Sequence, residues 1–198
     1  MRKVLLALVF FAFAVPSVAA EEPAPKVIDD FYKVLLDTMK NADKLGFNGR
    51  REKLAPAIDK AYNLPLMARL SVGPQWNTLS PEQQKHFVEG FGELTLSTYA
   101  ARFDGYSGEK LVVEPENQDA QGGKVVHTKL IKSNGEPIQL NYLMRQDNGQ
   151  WKIIDVYLKG TVSELATRRS EFSSVLRRDG GAALLKVMEQ KIAEARAG

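Results

Sequence analysis

The sequence predicts an α+β fold in which helices precede and follow a four-stranded antiparallel meander. Apolar residues recur at spacings of three and four over the first half of the chain. The pattern changes to alternation between residues 111 and 159 and returns to helical spacing beyond residue 160. Short turns rich in Gly and Asn separate the alternating segments, which is typical of hairpins between neighbouring antiparallel strands.

The first twenty residues have the layout of a secretory signal. Arg2 and Lys3 precede an apolar run over residues 4–15, and small residues follow at positions 17–20. The run is too short to cross about 30 Å of hydrocarbon as a helix. We therefore predict a cleavable signal peptide over residues 1–20 and a single mature domain over residues 21–198.

Composition disfavours several classes of function. Removal of residues 1–20 leaves 25 basic and 24 acidic residues, and this near-neutral balance is unlike that of a nucleic-acid-binding protein. The chain contains no Cys and two His, so disulfides are excluded and a zinc site is disfavoured. Nucleophile-elbow, phosphate-loop and dinucleotide-binding motifs are absent from the sequence. We predict no catalytic residues, no metal and no cofactor.

Capping and breaking signals set the predicted helix boundaries. An amphipathic helix is predicted over residues 24–44, with Asn48-Gly49 as its break. Residues 80–83 and residues 161–164 each have the composition of a capping box that starts a helix. Glycines at 180 and 181 are predicted to separate the last two helices.

The last predicted strand raises a question because both of its faces are apolar. Strict alternation places Trp151, Ile153 and Tyr157 on one face, and Ile154, Val156 and Leu158 on the other. In one interpretation, helices cover both faces of an ordinary core. In the other, the sheet curls around an apolar space beneath the helices, where a ligand could bind. The third strand favours some enclosure, because four of its apolar side chains point the same way: Ile138, Leu140, Tyr142 and Met144. The predicted strands span residues 111–114, 124–132, 138–146 and 150–159.

Two isolated polar residues and three arginine pairs are the remaining candidates for chemistry. Asp155, in the middle of a strand, is either a general base with a raised pKa or a hydrogen-bonded structural acid. His127 also lies in a strand. The arginine pairs at 50–51, 168–169 and 177–178 are either solvated helix faces or a cationic rim for anionic head groups or a partner.

Two long segments resemble one known family. They are LPLMARLSVGPQWNTLSPEQQKHFVEGFGELTLSTYA, residues 64–100, and NGQWKIIDVYLKGTVSELATRRSEFSSVLRRDGGAALL, residues 148–185. The chain is identified by these segments as a member of the MlaC, or toluene-tolerance auxiliary, family of periplasmic phospholipid-binding proteins. The segment TVSELATRRSEF is similar to the corresponding sequence of a subgroup associated with hopanoid biosynthesis. The matching positions include Met67, Arg69, Gly73, Trp76, Ser80, Pro81, Phe87, Phe91, Trp151, Asp155, Gly160, Arg169 and Phe172.

The resemblance implies a strongly curved four-stranded sheet with helices packed on its concave face around an apolar cavity. It also implies a periplasmic carrier that ferries a phospholipid or hopanoid between an inner-membrane ABC transporter complex and an outer-membrane lipoprotein or porin complex. Exposing one chain of ~16 carbons to water costs roughly 12 kcal/mol, so such a ferry must shelter its cargo. The residues predicted to line the lipid cavity are Phe87, Phe91, Leu94, Tyr99, Val126, Leu130, Leu140, Tyr142, Met144, Ile154 and Val156.

Two other functions remain open at the level of the sequence. A small isomerase or hydratase on a cone-shaped fold would use Asp155 or His127 at the floor of a pocket. An adaptor of a membrane complex that carries nothing would fill the space between sheet and helices with bulky side chains.

Overall fold

The computed structural model describes residues 22–120 and 122–197, so the predicted signal peptide lies outside the described residues. Within those two ranges, no helix is long and apolar enough to span a membrane. The helices are α1 (Ala24–Lys40), α2 (Ala42–Ala61), α3 (Leu64–Val72), α4 (Pro81–Arg102) and α5 (Glu164–Ala197), and a 3-10 helix, Gly73–Thr78, joins α3 to α4.

The sheet is an antiparallel meander in which each strand pairs with its neighbours in sequence, so the predicted α+β class is confirmed. It contains five strands, and the predicted number of four is wrong. The additional strand is two residues long and pairs with the end of the fourth, which is too short for alternation to reveal. The strands are β1 (Lys110–Ala120), β2 (Gly123–Ile131), β3 (Pro137–Asp147), β4 (Gln150–Leu158) and β5 (Val162–Ser163).

Two glycines with positive φ break the helices. Gly46 (φ 61°) interrupts α2, and Gly180 (φ 81°) interrupts α5 close to the predicted boundary. Both need the left-handed region that a side chain disfavours. The predicted break at Asn48-Gly49 is wrong, since both residues are helical and the chain already turns at Asn41 after α1.

One of the two predicted capping boxes is confirmed. The Ser80 hydroxyl accepts a hydrogen bond from the Gln83 backbone, and the Gln83 side chain accepts one from the Ser80 backbone. The second is wrong in register, because Ser163 rather than Thr161 caps α5 by accepting from the Ala166 backbone. The turn that follows β4 takes up Thr161, whose amide donates to the Leu158 carbonyl.

A β-bulge in β4 answers the question raised by its two apolar faces. Leu143 pairs with Asp155 and Met144 pairs with Ile153, so Ile154 is an extra residue in the ladder. Alternation therefore restarts out of phase after the bulge. The assignment of Trp151, Ile153 and Tyr157 to one face is wrong.

The phase shift puts apolar residues from both halves of β4 under the helices. Ile153 lies beside Met144 and Val156 lies beside Tyr142, and all four side chains are buried. Tyr157 pairs with Asn141 on the opposite face. A bulge also bends its strand, so this irregularity contributes curvature to the sheet. A second irregularity lies in β1, between Val113 and Asn117.

Asp155 fastens β4 to the start of α5. Its carboxylate accepts hydrogen bonds from the Val156 backbone at 2.8 Å, the Leu165 backbone at 3.0 Å and the Ser163 hydroxyl at 2.5 Å. The residue is buried, with 5% of its surface exposed. These contacts satisfy donors at a helix N-terminus, where a carboxylate is also favoured by the helix dipole.

We expect Asp155→Ala to lower the free energy of unfolding by about 3 kcal/mol, because it leaves buried donors without an acceptor. Asp155→Asn keeps an oxygen for the two backbone amides and should cost much less. Chemical denaturation of both variants measures the difference. Equal losses for Ala and Asn would show that the hydrogen bonds do not stabilise the fold.

The stability contributed by Asp155 should also depend on pH. Burial raises the pKa of its carboxyl, while the hydrogen bond from Ser163 opposes that rise. The folded chain therefore holds this proton more tightly than the unfolded chain, and the contribution is fully present below the unfolded pKa and decreases as pH rises through the folded pKa. Denaturation from about pH 3 to about pH 7 should show the advantage of wild type over Asp155→Asn falling with pH. A rising advantage would contradict the sign of the shift.

Candidate ligand-binding cavity

A cavity of about 280 Å³ lies between α4, the first half of α5 and the helix-facing side of the sheet. Its sheet wall consists of Leu130, Ile138, Leu140, Tyr142, Val156 and Leu158. Its α4 wall consists of Phe91, Thr95, Thr98, Tyr99, Arg102 and Phe103 at the helix end. Tyr62, Met67, Glu164, Leu165 and Arg168 complete the lining. Most of these side chains are apolar, as in sites for hydrophobic ligands.

The structure divides the eleven residues predicted to contact lipid into two groups. Six of them line the cavity: Phe91, Tyr99, Leu130, Leu140, Tyr142 and Val156. The other five are buried but are not in its lining: Phe87, Leu94, Val126, Met144 and Ile154. Phe87, for example, packs edge-on against Phe172 at a centroid distance of 5.7 Å. Lipid contact stays a prediction for the six residues that line the cavity. For the other five residues, their positions outside the lining do not support it.

Two threonines line the cavity, although their polar side chains do not mark them as cavity residues in the sequence. The Thr95 hydroxyl donates to the Phe91 carbonyl at 2.8 Å, and the Thr98 hydroxyl donates to the Leu94 carbonyl at 2.7 Å. Each polar group is thereby satisfied within its own helix. The helical spacing from Phe91 to Tyr99 could have identified them, whereas Tyr62 and Met67 reach the site only through tertiary contacts.

A cluster of tyrosines forms the inner part of the cavity wall. The hydroxyls of Tyr62 and Tyr99 are hydrogen bonded to each other. The Tyr32 hydroxyl lies 3.2 Å from that of Tyr142 and 2.5 Å from that of Thr128. Burial raises the pKa of Tyr62, Tyr99 and Tyr142, so their hydroxyls stay protonated at neutral pH. The cavity thus combines apolar walls with a small group of hydroxyls.

Charged groups lie only at the edge of the lining. Arg102 and Glu164 form an ion pair with a nitrogen–oxygen distance of 3.3 Å. The Arg168 guanidinium lies 5.5 Å from the ring centroid of Phe91. No carboxylate of the described ranges lies within 4 Å of it. The edge therefore has two guanidinium groups and one carboxylate.

Burial lowers the pKa of Arg168, and the charge of Glu164 partly offsets this effect. An arginine nevertheless stays charged in a protein, so the structure holds a partly desolvated cation next to an apolar space. The arrangement favours an anionic group that reaches the edge from the cavity.

Asp155 and His127, the two residues considered for catalysis, do not line this cavity. Asp155 pairs with Leu143 on the far side of the sheet and is occupied in capping α5. His127 pairs with Asn141 on that same side.

The comparison with family models decides the classification. The model described as MlaC protein matches residues 29–190 of the chain. The chain belongs to the MlaC family. An intermembrane phospholipid transport system binding protein MlaC from Haemophilus influenzae is 27% identical to this family member, over 96% of the chain and 92% of the relative. The toluene tolerance protein ttg2D from Pseudomonas putida is 24% identical, over 91% and 84%.

A solved structure also shares the fold of this MlaC family member. It is a phospholipid-binding protein from Ralstonia solanacearum in complex with a phospholipid. The superposition has a TM-score of 0.77 at 21% identity and covers 88% of this chain and 99% of that protein. The agreement shows a common architecture.

We expect Arg168→Met in this MlaC family member to leave the free energy of unfolding within about 1 kcal/mol of wild type or to raise it, because it removes a partly desolvated cation. Arg102→Met is the matched control, since an exposed ion pair contributes only about 0–1 kcal/mol. Thermal denaturation of the two variants measures both effects. A large loss for Arg168→Met alone would mean that its charge stabilises the fold.

Proposed function

We propose that the protein is a periplasmic phospholipid carrier that shelters an acyl chain in the cavity and leaves the head group at its charged edge. The observation that supports this most is an apolar cavity of about 280 Å³ in a member of the MlaC family. A space of this kind is unlike the filled interior that a non-carrying adaptor would have.

The volume can be converted into a length of hydrocarbon. An apolar cavity of about 150 Å³ holds benzene, so each carbon needs roughly 25 Å³. A volume of 280 Å³ then holds about 11 carbons. At about 0.8 kcal/mol per methylene, their burial offsets about 9 kcal/mol of the cost of exposing a chain to water. The cavity therefore covers most, but not all, of one chain.

The charged edge supports a phosphate-bearing head group. Arg168 has no carboxylate within ion-pair distance in the described part of the chain, and Arg102 lies near it on the neighbouring helix. Guanidinium groups bind phosphate oxygens with charge-assisted hydrogen bonds. A flexible acyl chain also fits a narrow space between helices and sheet more readily than the rigid fused rings of a hopanoid, which we keep as the alternative cargo.

Curvature of the sheet would supply the space for the chain. The bulge in β4 and the register shift in β1 are features of the kind that bend strands, and a bent sheet would leave room between its concave face and the helices. The name of the Haemophilus influenzae relative refers to an intermembrane phospholipid transport system. By analogy, this chain would exchange its lipid with an inner-membrane ABC transporter complex and an outer-membrane partner.

The carrier function is tested by extracting protein purified from its native host and identifying bound lipid by mass spectrometry. Delipidated protein is then incubated with vesicles that contain either phospholipid alone or phospholipid with hopanoid, and the lipid that it removes is measured. We expect one phospholipid per protein. Recovery of hopanoid alone would replace the proposed cargo, and the absence of any lipid in both assays would refute a carrier.

Filling the cavity should prevent lipid uptake. We expect Leu140→Trp and Leu130→Trp, from two strands of the sheet wall, each to reduce uptake from vesicles at least tenfold, because the indole occupies the space of the chain. Val112→Trp, at a position whose side chain is 39% exposed, is the matched control and should bind lipid normally. Uptake by the two cavity variants at the wild-type level would place the lipid elsewhere.

A further inference from the structure

The directions of the hydrogen bonds in the tyrosine cluster leave one hydroxyl proton without an acceptor in the described part of the chain. Tyr62 and Tyr99 have one hydroxyl proton each, and a single hydrogen bond joins them. One of the two protons is therefore left over. Besides this bond, Tyr99 has one further hydrogen-bonding neighbour among the described residues 22–120 and 122–197, the Tyr142 hydroxyl, which acts on the Tyr99 oxygen as a donor and so uses neither proton of the pair.

The neighbouring hydroxyls offer the surplus proton no better use. Tyr32 donates to Tyr142, Thr128 donates to the Leu140 carbonyl, and the Tyr142 hydroxyl acts as a donor to Tyr99. These three hydroxyls therefore have acceptors of their own. The spare donor belongs to the pair Tyr62–Tyr99, and both of these side chains line the cavity. A buried hydroxyl normally has an acceptor.

The tyrosine pair that holds the spare donor is connected to the charged edge of the cavity through helix α4. Tyr99 and Arg102 lie three residues apart on α4, so they share one face of the helix about one turn apart. Tyr99 also stacks on Phe103 with a centroid distance of 5.6 Å. In a glycerophospholipid, the acyl ester carbonyl lies a few bonds from the phosphate. A phosphate at Arg102 or Arg168 would bring that carbonyl towards the tyrosine pair.

We propose that Tyr62 and Tyr99 form a subsite that donates a hydrogen bond to the acyl ester carbonyl of the bound lipid and makes the protein select ester-linked over ether-linked chains. This inference rests on the proposed function, since it assumes that a phospholipid occupies the cavity. It assigns the hydroxyls a role in specificity, whereas the apolar wall accepts hydrocarbon of either linkage.

The test uses two single-chain probes with the same head group and chain length, a 1-acyl lysophospholipid and its 1-alkyl ether analogue. Both are titrated into delipidated full-length mature protein below their micelle concentrations. Wild type should bind the acyl probe about two- to tenfold more tightly, as expected for one hydrogen bond. The double variant Tyr62→Phe/Tyr99→Phe should lose this preference and bind the two probes with equal affinity.

The double substitution keeps both rings, which pack against Phe31 with centroid distances of 5.6 and 5.4 Å, and it removes the two hydroxyls of the pair together. Tyr157→Phe, on the other face of the sheet, is the matched control and should keep the ester preference. Each single variant, Tyr62→Phe or Tyr99→Phe, should retain part of the preference, because the remaining hydroxyl can still donate.

The outcomes separate this inference from the carrier function itself. Equal affinity of wild type for both probes, or an ester preference that survives in the double variant, overturns the subsite and leaves the carrier function intact. Binding of neither probe refutes the proposed function as well. Circular dichroism and thermal denaturation of the double variant establish that it is folded before the comparison is made.

Discussion

The constraint on which this structure depends is that an apolar space must stay open inside a small domain. A sealed cavity costs about 24 cal/mol per Å³, so about 7 kcal/mol is an upper limit on the cost of leaving this partly open space of 280 Å³ unfilled. That limit is comparable with the total stability of a typical domain, about 5–15 kcal/mol. The walls must therefore be rigid enough to resist collapse, and filling the cavity with hydrocarbon recovers contacts that the empty protein lacks.

Aromatic packing beside the cavity lining contributes to that rigidity. On one side, the ring of Phe31 lies edge-on against the rings of Tyr62 and Tyr99. On the other, Phe87 packs against Phe172 and joins α4 to α5. Paired aromatic rings contribute about 0.5–1.5 kcal/mol beyond the area they bury. These contacts join neighbouring elements, and Phe31, Phe87 and Phe172 are not in the cavity lining.

Local patterns in the sequence predict the fold well and the cavity only in part. Alternation locates β1 to β4, and the capping residues around Ser80 locate the start of α4. Alternation cannot reveal the bulge at Ile154, because the extra residue shifts the phase within a strand whose two faces both carry apolar residues. The same limit explains why Ile154 was predicted to face lipid. Tyr62 and Met67 escape detection for a different reason, since they join the site across the fold, where no spacing rule applies.

Under the proposed carrier function, the capacity of the cavity determines how many acyl chains fit without a change of its walls. About 11 carbons fit, so a second chain of ~16 carbons would remain in water at a cost of roughly 12 kcal/mol. A two-chain lipid therefore requires the space to widen. Hydrogen-bond ladders hold each strand of the sheet to its neighbours along its length. The first half of α5 is instead hydrogen bonded to Asp155 only at its start and ends at the break at Gly180. Its cavity-facing side also carries the partly desolvated Arg168. The helical wall, rather than the sheet, is the part of the molecule whose displacement would admit a second chain.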